Sequence, residues 1–536
     1  MQLYEALAAA LIDLDVRPLF GVMGDANMAC VAEFRERGGQ YVGTAHEGGG
    51  VAMADSWARA TGRVGFATVT HGPGVTNTMT AVVEAVRSRT PVLVLTGETP
   101  AEPTHFQRLD LPAFAAAAGA GHERVYRPET LARDLERALR RCVAERRPVV
   151  FDVPHGLLQS PVEDLQRVRA PARGERCVPG EADLDAALGL IAAANRPIVL
   201  AGRGAVESGA REALVDLAGV LAAPVAASVL AKDLFRGQPG DLGICGTLAH
   251  GPASAALAES DCVIAFGASL NVYTSLRGEL FAGKKIVQID HDPRRFGWYT
   301  PVTEAVVGDA EAVASAMAAT LRESGRTPSR AWLERVRAEV SAFEPGAEFT
   351  DESGGDTVDV RTAALRLDRI LPARRNLVSD MGRFVNAAWR HLHVSDARAF
   401  TTMGGFGAVG LGLAGSLGMA FARPGEPTVC TIGDGGFMMN PAELATAVRE
   451  KLPLVVLVFN DGAYGAEYHK LAGYGIDPAH SYTSWPDVRG VAEGLGARAV
   501  SVRKPEEFDA IEGLVENLDG PLVVDIRLDP AVDIAS

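Results

Sequence analysis

The chain has 536 residues, 47% hydrophobic and 22% charged, which is the balance of a soluble globular protein too long for one core and suggests about three domains. Its net charge of −15 argues against a nucleic acid or an anionic membrane surface as partner, since both demand clustered basic residues. The six cysteines are scattered without metal-type spacing, so they are expected to be reduced and mostly buried in a cytoplasmic protein. The N-terminus, Met-Gln-Leu-Tyr-Glu-Ala-Leu, reads as an amphipathic helix rather than a signal peptide, and no apolar run reaches membrane-spanning length.

In chain order, the first unit (residues 1–160) alternates helical and strand signals. Helices are predicted over Leu3–Leu14, Asn27–Arg37 and Gly48–Thr61, with strands over Leu19–Val22, Gln40–Ala45, Val64–Thr70, Pro91–Thr96 and Pro148–Val153. Such alternation means a parallel sheet covered by helices. A charged, proline-containing stretch from Ser160 to Gly180 reads as a linker. The second unit (182–325) repeats the rhythm, with strands at Ile198–Ala201, Val225–Ala227, Cys262–Phe266 and Lys285–Ile289. Residues 325–358 mix helix with a Gly-Asp-Ser-rich loop, and a third unit runs from 359 to 530. The fold class is therefore α/β, as three doubly wound parallel-sheet domains.

The third unit holds the most informative stretch. Pro427–Ile432 is a buried strand, Glu443–Lys451 a helix stopped by Pro453, and Leu454–Phe459 a second buried strand. An acid follows each strand, Asp434 and Asp461, at the carboxyl ends where open parallel sheets bind ligands. Gly435 and Gly436 let backbone N–H groups approach an anion, and the two aspartates offer hard oxygens to one small cation.

The Gly-Asp-Gly element with a second acid 27 positions on resembles the thiamine diphosphate motif of the acetolactate synthase, pyruvate decarboxylase and benzoylformate decarboxylase family. The resemblance implies thiamine diphosphate and Mg2+ as cofactors, the metal held by Asp434, Asp461 and the carbonyl of Ala463. Asp461 stands where the commonest pattern has asparagine, which still supplies an oxygen. His46-Glu47, followed by Ala52, Ala54, Asp55, Ala58 and Gly62, is similar to the segment in which this family sets a glutamate against the coenzyme's aminopyrimidine. Glu47 is thus the expected activating acid, sharing a proton with the pyrimidine ring so that the imino form can deprotonate the thiazolium carbon.

Further expectations follow from the same likeness. His71-Gly-Pro-Gly-Val-Thr-Asn77 resembles the family's Gly-Pro-Gly turn near substrate and pyrimidine, which assigns His71 to the reacting centre and Pro73 and Asn77 to the coenzyme. Phe106-Gln107 resembles the Phe-Gln pair on the substrate side and makes Gln107 a catalytic candidate. Within the glycine-rich run from Gly404 to Gly418, the resemblance gives the Gly407 carbonyl the aminopyrimidine N–H and makes Val409, stiff at χ1, the wedge that bends the coenzyme. Tyr464 opens a helix that would overhang the diphosphate. The tryptophan and methionine of acetolactate synthases are replaced by Lys470 and Ala466. Gly267-Ala-Ser-Leu-Asn-Val-Tyr-Thr274 stands where flavin-binding synthases keep an Arg-Phe-Asp-Asp-Arg run, so no FAD is expected.

The implied activity is decarboxylation of a 2-oxo acid with carboligation of the resulting enamine to a carbonyl acceptor. The alternatives are a non-ligating decarboxylase that releases an aldehyde, and a non-catalytic coenzyme-binding relative. Family members join the first unit of one subunit to the third of another, which implies a homodimer or a tetramer built from dimers.

Overall fold

The computed structural model describes all residues except 101, 165, 172–175, 326 and 535–536, so part of the expected linker lies outside the described residues. Among the described residues eighteen strands form three sheets. In the first unit they are β1 (Leu19–Gly21), β2 (Tyr41–Gly43), β3 (Gly65–Thr68), β4 (Val92–Glu98), β5 (Gly121–Arg124) and β6 (Val149–Pro154). The middle unit supplies β7 (Pro197–Ala201), β8 (Val225–Ala227), β9 (Asp241–Ile244), β10 (Cys262–Phe266), β11 (Lys285–Asp290) and β12 (Glu304–Val307). The third supplies β13 (Asn376–Ser379), β14 (Phe400–Thr402), β15 (Thr428–Gly433), β16 (Leu454–Asn460), β17 (Arg498–Val502) and β18 (Leu522–Arg527).

The sheet orders are β2-β1-β3-β4-β6-β5, β12-β11-β10-β7-β8-β9 and β14-β13-β15-β16-β18-β17, and the paired strands run parallel throughout. Counted from each unit's first strand, the outer units share one order, although their sequences are not repeats. The middle unit has the order of dinucleotide-binding sheets. In the outer sheets the order reverses between the first and third strands, the kind of point at which open parallel sheets bind ligands at their carboxyl ends.

Central strands are buried on both faces and therefore read as continuous apolar runs; β16 is buried along its whole length. One apolar core joins the outer units, bringing Val51, Met53 and Trp57 together with Leu413, Leu417 and Leu444. Its seam is the Glu47–Thr61 helix against the Gly412–Ala422 helix. A Cβ on Gly418 would stand 2.1 Å from the Met53 carbonyl oxygen, so the glycine lets the two backbones meet. No helix among the described residues is long and apolar enough to cross a membrane.

Candidate active site

In the third unit, register brings the two motif acids together. Gly433 pairs with Phe459, so β15 and β16 release their chains side by side, Asp434 directly after the first and Asp461 directly after the second. The sequence suggested a loop up to Glu443; instead a short helix, Asp434–Met439, starts at Asp434 itself. The predicted helix up to Lys451 ends at Arg449, and Lys451 adopts a left-handed φ of 52°.

Asp434 is buried, and its Oδ2 has no hydrogen-bond partner. Burial pushes its carboxyl up to about 6, against backbone N–H groups that favour the ionised form. Asp461 is pushed up to about 7, first by burial and then by the charge of Asp434. Burial outweighs the nearby guanidinium groups of Arg527 and Arg383, which favour the ionised acids, so the pair still lacks compensating positive charge. Asp461 Oδ1 accepts the Ala463 N–H at 3.1 Å. A Cβ on Gly435 would lie 3.0 Å from the Tyr464 ring, and one on Gly436 would lie 2.5 Å from Asp380 Oδ2 and 3.2 Å from Val409 Cγ1. Tyr464, Val409 and the twin-glycine turn are therefore one constellation. Gly407, at φ +79°, and Val409 lie on an exposed loop at its edge.

In the first unit, Glu47 opens its helix behind His46, whose Nδ1 accepts the Gly48 N–H at 3.0 Å. Glu47 is half-buried, and its Oε2 accepts Asn77 Nδ2 at 3.0 Å. Asn77 closes the Pro73–Thr76 helical turn. His71 is buried, with Nε2 2.9 Å from Gln107 Oε1. The amide oxygen accepts, so Nε2 carries the hydrogen and Nδ1, which has no partner, is left as an acceptor. Burial lowers the His71 pKa, opposed by the Gln107 hydrogen bond. The His105 ring lies 5.8 Å from that of His71, and Phe106 stacks on His105 while standing exposed.

The predicted residues thus gather into two clusters. One holds Glu47, His71, Pro73, Asn77 and Gln107; the other holds Gly435, Gly436, Val409, Asp434, Asp461, Ala463 and Tyr464. Among the described residues no hydrogen bond or ion pair joins Glu47, His71 or Gln107 to Asp434 or Asp461.

The comparisons with known proteins fall on the same units. Residues 1–114 match the family described as thiamine pyrophosphate enzyme, N-terminal TPP binding domain; 184–317 match its central domain; and 380–526 match its C-terminal TPP binding domain. The chain belongs to the thiamine pyrophosphate enzyme family. It is 31% identical over 518 residues to a probable 2-ketoarginine decarboxylase of Pseudomonas aeruginosa, covering 95% of this chain and 90% of the relative. Identity is 29% over 548 residues to a probable acetolactate synthase large subunit of Methanocaldococcus jannaschii, covering 98% and 92%. It is 30% over 498 residues to a sulfoacetaldehyde acetyltransferase of Alcaligenes xylosoxydans xylosoxydans, covering 86% and 81%. The protein is a thiamine diphosphate-dependent enzyme of decarboxylation or carboligation, and both of its clusters lie in the matched TPP-binding regions.

Three further buried acids of this thiamine pyrophosphate enzyme, carrying no local sequence signal, line or brace these loops. Asp380 follows β13 at the switch point; burial pushes it up to about 7, its Oδ2 accepts the Gly410 N–H at 2.8 Å, and its Oδ1 has no partner. Glu84 and Glu443 each bond backbone of the other outer unit. A lone acid within a helix carries no signal of a partner hundreds of residues away.

Proposed function

We propose that the enzyme decarboxylates a 2-oxo acid with thiamine diphosphate and Mg2+ and passes the remaining acyl unit to a carbonyl acceptor. The observation that carries the cofactor reading is the Asp434–Asp461 pair: Asp434 buried with an unpartnered oxygen, and half-buried Asp461 beside it, raised by the charge of Asp434. A divalent cation fits that donor set; Asp434, Asp461 and the Ala463 carbonyl would hold it, and it would supply positive charge to the diphosphate. The N–H groups at Gly435 and Gly436 would receive the diphosphate, with Tyr464 above them.

When bound, the coenzyme supplies a nucleophilic thiazolium carbon and a sink for the electron pair released with carbon dioxide. Glu47, steadied by Asn77, would hold the proton at the pyrimidine nitrogen. Val409 and the Gly407 carbonyl would fix the coenzyme's bend. His71, held in one tautomer by Gln107, would present Nδ1 as an acceptor to the substrate.

Transfer to a carbonyl acceptor is supported by the relative named for acetolactate synthesis, and the one named as an acetyltransferase supports acyl transfer without naming its acceptor. A second reading, release of an aldehyde, is supported by His71, because a buried imidazole with a free nitrogen can relay the terminating proton. Incubation with a panel of 2-oxo acids, with and without aldehydes, separates them. Carbon dioxide with a hydroxy-ketone product is expected; aldehyde alone would select the second reading, and no carbon dioxide from any 2-oxo acid would remove both.

The metal assignment carries a pH signature. With carboxyls raised to about 6 and about 7, the metal-free fold is favoured most below the ordinary carboxylate pKa and loses stability as pH rises through those values. Cation binding needs the ionised pair, so it releases protons in acid. The gain in Tm from Mg2+ plus thiamine diphosphate is therefore expected to be small near about pH 5 and full by about pH 8. An equal gain at both pH values would count against this pair as the metal site.

We also propose a homodimer, or a tetramer built as a dimer of dimers, in which each first-unit cluster meets the partner's third-unit cluster. Met23, Met28 and Phe106 around one cluster and Phe406, Val409 and Met439 around the other are exposed in the single chain, an apolar surface that association would cover.

A further inference from the structure

We infer that Glu84 and Glu443 form a reciprocal clamp: each fixes, from one outer unit, the loop that carries the coenzyme residues of the other. This rests on the proposed assignment of Glu47, Gly407 and Val409 to the coenzyme.

Glu84, in the Met79–Arg87 helix of the first unit, is fully buried. Its Oε1 accepts the Gly405 N–H at 3.0 Å and its Oε2 the Phe406 N–H at 2.7 Å, both in the third-unit loop that leads to Gly407 and Val409. Glu443, in the Glu443–Arg449 helix of the third unit, is equally buried. Its Oε2 accepts the Ala45 N–H at 3.2 Å and its Oε1 the His46 N–H at 3.1 Å, in the first-unit loop that ends on Glu47. Each carboxylate thus takes two consecutive amides immediately before a residue assigned to the coenzyme. Neither loop segment has helical or strand pairing at those amides, so the carboxylate supplies their acceptors.

Each glutamate is itself held. Ser88 Oγ donates to Glu84 Oε1 at 2.9 Å, and Arg59 donates to the same oxygen at 3.0 Å. Arg59 also pairs with buried Asp55 and donates to the Thr402 carbonyl at 2.6 Å, reaching the far side of the same loop. Thr446 Oγ1 donates to Glu443 Oε2 at 2.9 Å. Buried charge is costly unless it is hydrogen-bonded, and here each carboxylate is bonded both to the other unit's backbone and to side chains of its own unit. A hydrophobic seam alone would join the units without choosing these amides. Glu84 and Glu443 are accordingly positioning residues, acting on the coenzyme through the loops they hold.

Glu84→Gln and Glu443→Gln keep the shape but turn an amide N–H toward a backbone N–H. Hydrogen–deuterium exchange on the coenzyme-free protein is expected to speed up at residues 405–406 in the first variant and at 45–46 in the second, each by roughly tenfold or more. Coenzyme affinity by calorimetry and kcat are expected to fall by roughly tenfold in each, with KM for the 2-oxo acid within about twofold. Ser88→Ala and Thr446→Val remove only the hydroxyl braces and should give the same pattern in weaker form, so the test survives if a glutamine variant does not fold. Unchanged exchange at these amides in either set overturns the clamp. So does faster exchange with unaltered coenzyme affinity and kcat, provided that Glu47→Gln and Val409→Ala impair the enzyme. If those two direct variants are also harmless, the coenzyme assignment is what has failed.

Discussion

Glu47→Gln is expected to bind thiamine diphosphate within about threefold of the parent enzyme while kcat falls by about two to four orders of magnitude, the range for loss of a positioned proton donor. The carboxamide fills the same space at the start of the Glu47–Thr61 helix and can still meet Asn77, whose amide now bonds Glu47 Oε2 at 3.0 Å. What it cannot do is share an acidic proton with a ring nitrogen. Stability should move little, since Glu47 is only half-buried and its loop is held through the backbone of Ala45 and His46 rather than through its own side chain. Calorimetry for the coenzyme, steady-state turnover and thermal unfolding measured together check all three statements. Turnover close to the parent's would remove Glu47 from the chemistry. Loss of coenzyme binding with the turnover would make it a binding residue instead.

Parts of this arrangement were legible because local chemistry and tertiary place coincide. β10 and β16 are buried on both faces and run as unbroken apolar segments bounded by polar residues and glycine, so period and length alone define them. Asp434 and Asp461 were legible because each sits one step beyond such a strand, and strand ends in parallel sheets are where ligands bind. Edge elements were not: Gly121–Arg124 and Glu304–Val307 are short and mixed in character, and their strand identity comes from the neighbour they pair with. The helix that begins at Asp434 was missed because two glycines after an acid read as loop; there the close approach of Tyr464 and Asp380 requires small residues whatever the local preference. Val409 is the reverse case. The family resemblance made it the coenzyme's wedge, and in the single chain it stands exposed beside Gly436. Asp380, Glu84 and Glu443 were invisible because their donors are backbone amides 30, 321 and 398 residues away along the chain.

Asp434→Ala is expected to abolish measurable coenzyme binding at physiological Mg2+ and, at the same time, to make the coenzyme-free protein more stable. The two effects have one cause. The carboxylate is buried with an unpartnered oxygen beside Asp461, and its pKa is raised from 3.8 to about 6. Keeping it ionised in the empty fold costs on the order of 2–3 kcal/mol at neutral pH, a cost that bound metal repays. Removing it relieves Asp461 of its repelling neighbour, so the stability gain should be present at about pH 8, shrink near about pH 4 as pH falls below the raised folded values, and vanish by about pH 2, where both acids are protonated in either state. Calorimetry and thermal scans at the two pH values check this; unchanged coenzyme affinity would refute the metal assignment outright. The same variant tests assembly. If each site joins Glu47 of one chain to Asp434 of its partner, mixing Glu47→Gln with Asp434→Ala subunits produces hybrids in which one site carries both substitutions and the other carries neither. Random exchange at equal amounts makes half the dimers hybrid, so activity should return to about a quarter of the parent's, one intact site of two in half the dimers. Proven subunit exchange without rescue would place Glu47 and Asp434 in one chain's site, and full activity in a monomer by sedimentation would do the same.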